Sequence, residues 1–109
     1  MSRNARFRQQ LQHATLMHAM SAHNPLSARL AADAGFDAIW GSGFELSASY
    51  AVPDANILSA GQHLDMMRAI AAAIDIPVIA DIDTGFGNAI NVAYAVPQYE
   101  AAGVSAVVM

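Results

Sequence analysis

Apolar residues recur along this chain with two alternating periods, and the alternation sets out an order of strands and helices. Apolar runs of strand length fall at residues 15–20 (T-L-M-H-A-M), 38–40, 78–82 and 105–109 (S-A-V-V-M). The segments between them repeat their apolar positions every three to four residues, the spacing of one helix face. Asn24 followed by Pro25 opens the first such segment, because asparagine accepts an early helix N–H and proline lacks the one that would go unpaired. Leu26, Leu30 and Ala34 are its expected inward face, and Gly35 its left-handed terminator. Ser59 and Gln62 have capping-box spacing, ahead of a helix with Leu64, Met67, Ala71 and Ile74 as its buried stripe. Pro77 forces the preceding residue into extended backbone and starts the third strand. Asn88 opens the last helix, with Val92, Val96, Tyr99 and Gly103 marking its face and end. Pro97 lies inside that pattern, removes the bond back to Ala93 and predicts a kink or a split. A short amphipathic helix at residues 7–13 pairs Phe7 with Leu11 and is expected to be a lid or interface rather than core. Residues 45–58 show neither period and read as a long loop, of the kind that in a compact domain carries function or motion.

Two stretches echo each other. A-G-F-D-A-I from Ala34 and A-G-V-S-A-V from Ala102 share one junction of helix end, glycine and strand start. Two βα units separate them. The order β-α-β-α-β-α-β predicts an α/β fold, with a parallel sheet, helices outside it and right-handed crossovers, in one domain over residues 1–109. A closed eight-stranded barrel of this kind takes about 250 residues, so the expectation is the N-terminal half, about four βα units, of a (β/α)8 TIM-type barrel. An isolated half would leave two strand edges unpaired, which favours a truncated record of a longer protein over a small open sheet. Ligands of such sheets sit at the C-terminal strand ends.

Composition narrows the function classes. The 109 residues are 55% hydrophobic and 13% charged with a net charge of −4, a globular balance with no basic patch for a phosphate backbone. No nucleic acid and no membrane are expected as partners. Lysine and cysteine are both absent, which excludes a P-loop lysine, a Schiff base, thiolate chemistry and cysteine-ligated zinc from this segment. The arginine-bearing start has no signal-peptide core and no apolar run is long enough to span a bilayer, so the cytoplasm is the expected location.

The stretch P-V-I-A-D-I-D-T-G-F-G-N at residues 77–88 places two carboxylates in an apolar strand. On one strand face Asp81 and Asp83 would stand roughly 7 Å apart. Like charges that close resist ionising unless a cation or strong donor lies between them, and Mg2+ suits the task, held directly by one carboxylate and through water by the other. A capping role would explain Asp83 but leaves Asp81 unexplained. Trp40, Gly41, Ser42, Gly43 and Phe44 form a glycine turn whose successive N–H groups could cradle an anionic oxygen, or simply a turn with Trp40 in the core. Asp54 lies in the long loop two residues before Asn56, where turn formation explains it as well as catalysis does. His18 and His23 read as hydrogen-bonded or surface residues, and His13 and His63 as surface or helix residues. Tyr50, Tyr94 and Tyr99 carry no signal beyond packing.

Taken together, A-H-N-P-L-S-A-R-L, A-G-F-D-A-I-W-G-S-G-F, V-P-D-A-N and D-I-D-T-G-F-G-N resemble the phosphoenolpyruvate mutase/isocitrate lyase superfamily over nearly the whole chain. The resemblance implies a (β/α)8 barrel assembled as a homotetramer, with Mg2+ at its mouth and Mn2+ or Co2+ as substitutes. It implies Asp81 as the direct metal ligand and Asp83 as holder of a metal-bound water. Trp40, Ser42, Gly43 and Phe44 would grip the pyruvyl end of a keto-acid phosphonate, and Asp54 would act catalytically by orienting water or the phosphoryl group. The S-G-F-E-L-S-A-S-Y-A-V-P-D-A-N-I-L segment is most similar to the branch that hydrolyses the C–P bond of phosphonopyruvate, followed by the mutases and the carbon–carbon lyases. The family's next acidic residue, its gating loop and the groups that hold the phosphoryl end match positions beyond Met109, so the chain alone is expected to be inactive. A half-barrel that only associates with a partner is the non-enzymatic reading.

Overall fold

Between each pair of consecutive strands the chain passes through at least one helix that carries it back, so neighbouring strands pair in parallel. In the computed structural model, which describes residues 1–13 and 16–109, β1 (Ala19–Ala22), β2 (Ala38–Gly41), β3 (Val78–Asp81) and β4 (Ala106–Val108) form one parallel sheet in the order β1-β2-β3-β4. The register sets Ser21, Trp40, Ile79 and Ala106 in one row. Successive residues of a strand face opposite sides. On the covered side, Ile39, Val78 and Ala80 are fully buried against α2 (Pro25–Asp33), α4 (Ala60–Ala73) and α5 (Ala89–Ala101). On the other side, Trp40, Ile79 and Asp81 are half-buried. This is the layout of consecutive βα units of a barrel, with β1 and β4 as its edges.

Local chemistry explains the element boundaries. Asn24, Ser59 and Asn88 each cap a helix through a complete capping box. The two echoed junctions are alike in the backbone as well: Gly35 and Gly103 both have φ of 98°, and Phe36 and Val104 donate back to Ala31 and Tyr99. That is the left-handed helix end that glycine adopts without a Cβ penalty.

Several expectations change. The first strand is β1 at Ala19–Ala22 rather than 15–20, and Thr15 lies outside the described residues. In α2 the buried side chains are Ala28 and Ala31, whereas Leu26 and Leu30 are 68% and 62% exposed. Small residues let this helix lie close to β1 and α4, and the leucine stripe turns outward. Residues 45–58 are not all loop, because Ser42 caps a short helix, α3 (Gly43–Ser49), by accepting from the Glu45 N–H at 3.0 Å. Pro97 does not split α5, which runs unbroken from Ala89 to Ala101.

The N-terminal helix, α1 (Arg3–His13), is no lid over the strand ends that carry the carboxylates. It seals the opposite end of the sheet, where helices return to strands. Arg3 donates to the carbonyls of Ala71 and Ile74 at 2.9 and 2.6 Å and to Gly103 at 3.1 Å. Ser105 Oγ donates to Asn4 Oδ1 at 2.6 Å, and Phe7 is buried. No helix among the described residues is long and apolar enough to cross a membrane.

Candidate active site

The loops at the C-terminal ends of β2 and β3 bring four of the seven sequence-predicted residues, Gly43, Asp54, Asp81 and Asp83, to one cavity. Strand β3 ends at Asp81, which is half-buried and faces away from the helices. Asp83 does not share a strand face with it as the spacing suggested. It lies past the strand end in left-handed backbone, φ 55°, is exposed, and donates its N–H to Asp81 Oδ1 at 3.0 Å. The turn therefore fixes one oxygen of Asp81 by a backbone bond and leaves the other, Oδ2, toward Gly43 at the start of α3. The carboxylates are also less buried than an apolar strand interior implied, since period-two alternation places Asp81 on the open side of the sheet.

Gly43 is the point where the two loops meet. A Cβ at this position would stand 3.3 Å from Asp81 Oδ2, so any larger side chain would crowd the carboxylate. Ser42 is buried, and its hydroxyl oxygen is used as the α3 cap, so the turn is a helix start rather than an open nest. Trp40 is half-buried one row below, and Phe44 is 63% exposed. Asp54, Asp81, Asp83, Gly43 and His63 line one small cavity of about 30 Å3, whereas Trp40, Ser42 and Phe44 do not. Larger grooves exist elsewhere, including one of about 330 Å3 between α1, α5 and β4, but it gathers no carboxylate cluster. Chemistry, not size, marks the site.

His63 is the residue that sequence reasoning missed. Of the two settings expected for it, surface or helix, it takes the helix, and it is buried in α4 at 5% exposure. Its Nδ1 lies 2.8 Å from the hydroxyl of Tyr99, and its Nε2 has no hydrogen-bond partner among the described residues. Phe86 stacks on Tyr99 with ring planes 2° apart and centroids separated by 6.3 Å, closing the pair from the β3–α5 turn. Burial holds the His63 imidazole below its usual pKa, with the Asp81 charge pulling the other way, and burial pushes the Tyr99 phenol above its range. A signal was present: residues 63, 67, 70 and 74 follow i, i+4, i+7, i+11, so His63 sits on the stripe that buries Met67, Ile70 and Ile74.

The donor set suits a hard cation. Carboxylate oxygens are the only charged donors in the cavity, and no group of three acidic or histidine side chains among the described residues closes around a metal. Mg2+ fits such a site because it keeps several waters and takes one or two carboxylates plus substrate oxygens.

Comparisons with known proteins agree with this fold. Residues 7–109 match the model of the phosphoenolpyruvate phosphomutase family. The chain is 69% identical over all its 109 residues to the phosphonopyruvate hydrolase of Variovorax sp. (strain Pal2), and spans 38% of that protein. It superposes with a TM-score of 0.98 on a crystal structure of phosphonopyruvate hydrolase in complex with oxalate and Mg2+, 69% identical, covering all of this chain and 38% of that one. The phosphoenolpyruvate phosphomutase from Streptomyces platensis subsp. rosaceus follows at TM-score 0.93 and 49% identity, with 95% of this chain and 36% of that one covered. The chain thus spans about 38% of the length of the relatives it matches. With its carboxylate-bearing strand ends and this match over nearly every residue, the chain belongs to the phosphoenolpyruvate phosphomutase family.

Proposed function

We propose that this chain supplies the metal-binding side of an Mg2+-dependent hydrolase that cleaves the C–P bond of phosphonopyruvate to pyruvate and phosphate. The observation that carries the reading is the convergence of Asp54, Asp81, Asp83 and Gly43 on one cavity at the C-terminal strand ends. The relative at 69% identity bears that enzyme's name, and a phosphonopyruvate hydrolase crystal structure, likewise 69% identical, is a complex with Mg2+ and oxalate, a planar dicarboxylate with the outline of a pyruvate enolate.

When bound, Mg2+ would act as a Lewis acid that stabilises charge on the keto-acid oxygens. Asp81 would hold it directly, its carboxylate oriented by the Asp83 N–H that donates to Oδ1, and Asp83 would hold one of its waters. Gly43 lets the substrate's carboxylate end come close to Asp81, and Trp40, Ser42 and the backbone of Phe44 would form the wall behind it. Asp54 would orient water toward phosphorus. Water attacks there, the C–P bond breaks, its electron pair passes to the methylene carbon as an enolate, and a proton returns that carbon to the methyl of pyruvate. Mn2+ or Co2+ would replace Mg2+ with altered rates. On the same reading the whole protein is a cytoplasmic homotetramer, for which light scattering should give four chains.

The test is a graft in which these 109 residues replace the matching stretch of the Variovorax hydrolase. Followed by 31P NMR with phosphonopyruvate and Mg2+, the graft should release inorganic phosphate, and the free chain should not. A phosphoenolpyruvate signal would assign the mutase reaction instead. An inert graft that still folds would overturn the hydrolase reading and leave a carbon–carbon lyase or the association module.

A further inference from the structure

Resting on the reading of this cavity as the ligand site, we infer that His63 is a positioning residue, locked by Tyr99 with its proton on Nε2 so that it shares a cavity water with Asp81. Three observations lead there. His63 is buried, lines the same cavity as Asp81, and has one ring nitrogen engaged and the other without a protein partner. Buried polar atoms are nearly always paired, to protein or to ordered water. The cavity, at about 30 Å3, has room for a water, which needs only about 10–15 Å3 of such volume together with polar partners.

The tautomer follows from proton accounting. The Tyr99 hydroxyl has one proton, stays neutral because it is buried, and has His63 Nδ1 as its partner. If it donates to Nδ1, the imidazole proton is on Nε2. The opposite arrangement would leave the phenol proton without an acceptor among the described residues and a bare lone pair on a ring that lines a cavity with three carboxylates. An N–H is the favourable partner for that field, directly or through water. Phe86, stacked on Tyr99 and 6.0 Å from the His63 ring centroid, holds the assembly from the turn that also carries Asp83. His63 therefore ties helix α4 and helix α5 to the orientation of the Asp81 carboxylate without touching the reacting atoms. Partners of this indirect kind commonly matter by 10–100-fold in metal affinity.

The experiment uses the graft defined above, with Mg2+ and oxalate as the calorimetric probe and long-range 15N NMR of histidine as the second readout. The unmutated graft should show His63 protonated on Nε2. H63L should weaken Mg2+–oxalate binding by about tenfold, and H63Q, which keeps an N–H near the Nε2 position, should restore it to within about threefold. Y99F should give a mixture of tautomers and an intermediate affinity. A proton on Nδ1 in the unmutated graft overturns the inference, as does H63L binding with unmutated affinity. Should H63L fail to fold, the tautomer and the H63Q affinity decide. A graft that folds and does not bind Mg2+–oxalate at all counts against the proposed function, while the 15N result still decides the role of His63.

Discussion

The two ends of the sheet are built on opposite principles. At the N-terminal end, polar groups are spent on one another: the Arg3 guanidinium takes three backbone carbonyls where α4 and α5 turn into strands, and Arg29 donates to the Ala73 carbonyl at 2.8 Å. At the C-terminal end, the chain accepts unfavourable local states. All four non-glycine residues with positive φ among the described residues, Ala51, Asn56, Asp83 and Phe86, lie in the loops there. The unpartnered His63 nitrogen and the carboxylate cluster share that end. Left-handed backbone in non-glycine residues costs roughly 1–3 kcal/mol each and persists where surrounding structure imposes it, which is the pattern of a site rather than of a scaffold. The difference teaches that one end of a parallel sheet is organised for stability and the other for binding.

That contrast is breakable by substitution, each made in the graft. D81A should cause the largest change, a loss of activity of about 1000-fold or more, with the melting temperature held or raised because a partly desolvated charge is removed. R3L should do the reverse. Three carbonyls lose a charged donor, so stability should drop by about 3 kcal/mol and Tm by about 6–12 °C, with kcat and KM unchanged. A D81A graft that melts far lower, or an R3L graft that loses kcat at a temperature where it is folded, would erase the distinction.

Smaller effects sharpen it. The paired glycines of the two echoed junctions share φ but not surroundings: a Cβ on Gly35 meets nothing within 4 Å, whereas one on Gly103 would lie 3.0 Å from Arg3 Nη2 and 3.3 Å from the Ala71 Cβ. G35A should cost only the backbone penalty of about 1 kcal/mol, and G103A distinctly more because it also pushes against the Arg3 clamp. Equal melting shifts would show that the clamp yields freely. The smallest effect expected is on the pH dependence of stability. His63 faces Asp81 from β3 and Tyr99 from α5, and burial lowers its folded-state pKa below the ordinary 6.5. Stability from this group is complete above 6.5 and declines as pH falls from there toward the folded-state value, because the unfolded chain takes up the proton first. H63Q should flatten that part of the Tm profile, and an unchanged slope would remove His63 as its source.

Much of this architecture is legible in the amino-acid pattern. The alternation of strands and helices, the helix starts at Asn24, Ser59 and Asn88 and the glycine junctions follow from local rules that the tertiary structure does not override, whereas the capping boxes at Asn24–Ser27 and Asn88–Asn91 appear only in the structure. The face of α2 was not legible, because Leu26 and Leu30 outrank alanine on any hydrophobic scale while close packing against β1 selects Ala28 and Ala31. Helix α3 had a signal, Ser42 three residues before Glu45, but its short seven-residue length gives no period to read. Among the expected site residues, Asp81, Asp83, Asp54 and Gly43 line one cavity and Trp40, Ser42 and Phe44 do not, and Asp83 reaches it by a left-handed turn and not by strand alternation. His63 was hidden by its residue type: a polar side chain on an apolar stripe looks like an interruption until its partner, distant in sequence, is known.

The most direct measurement of the central claim is anomalous diffraction from crystals of the graft grown with Mn2+ and oxalate. The account predicts one strong peak beside the Asp81 carboxylate at the C-terminal strand ends, with Asp83 reaching it through water. A peak remote from Asp81, or oxalate bound there without a metal, would contradict it.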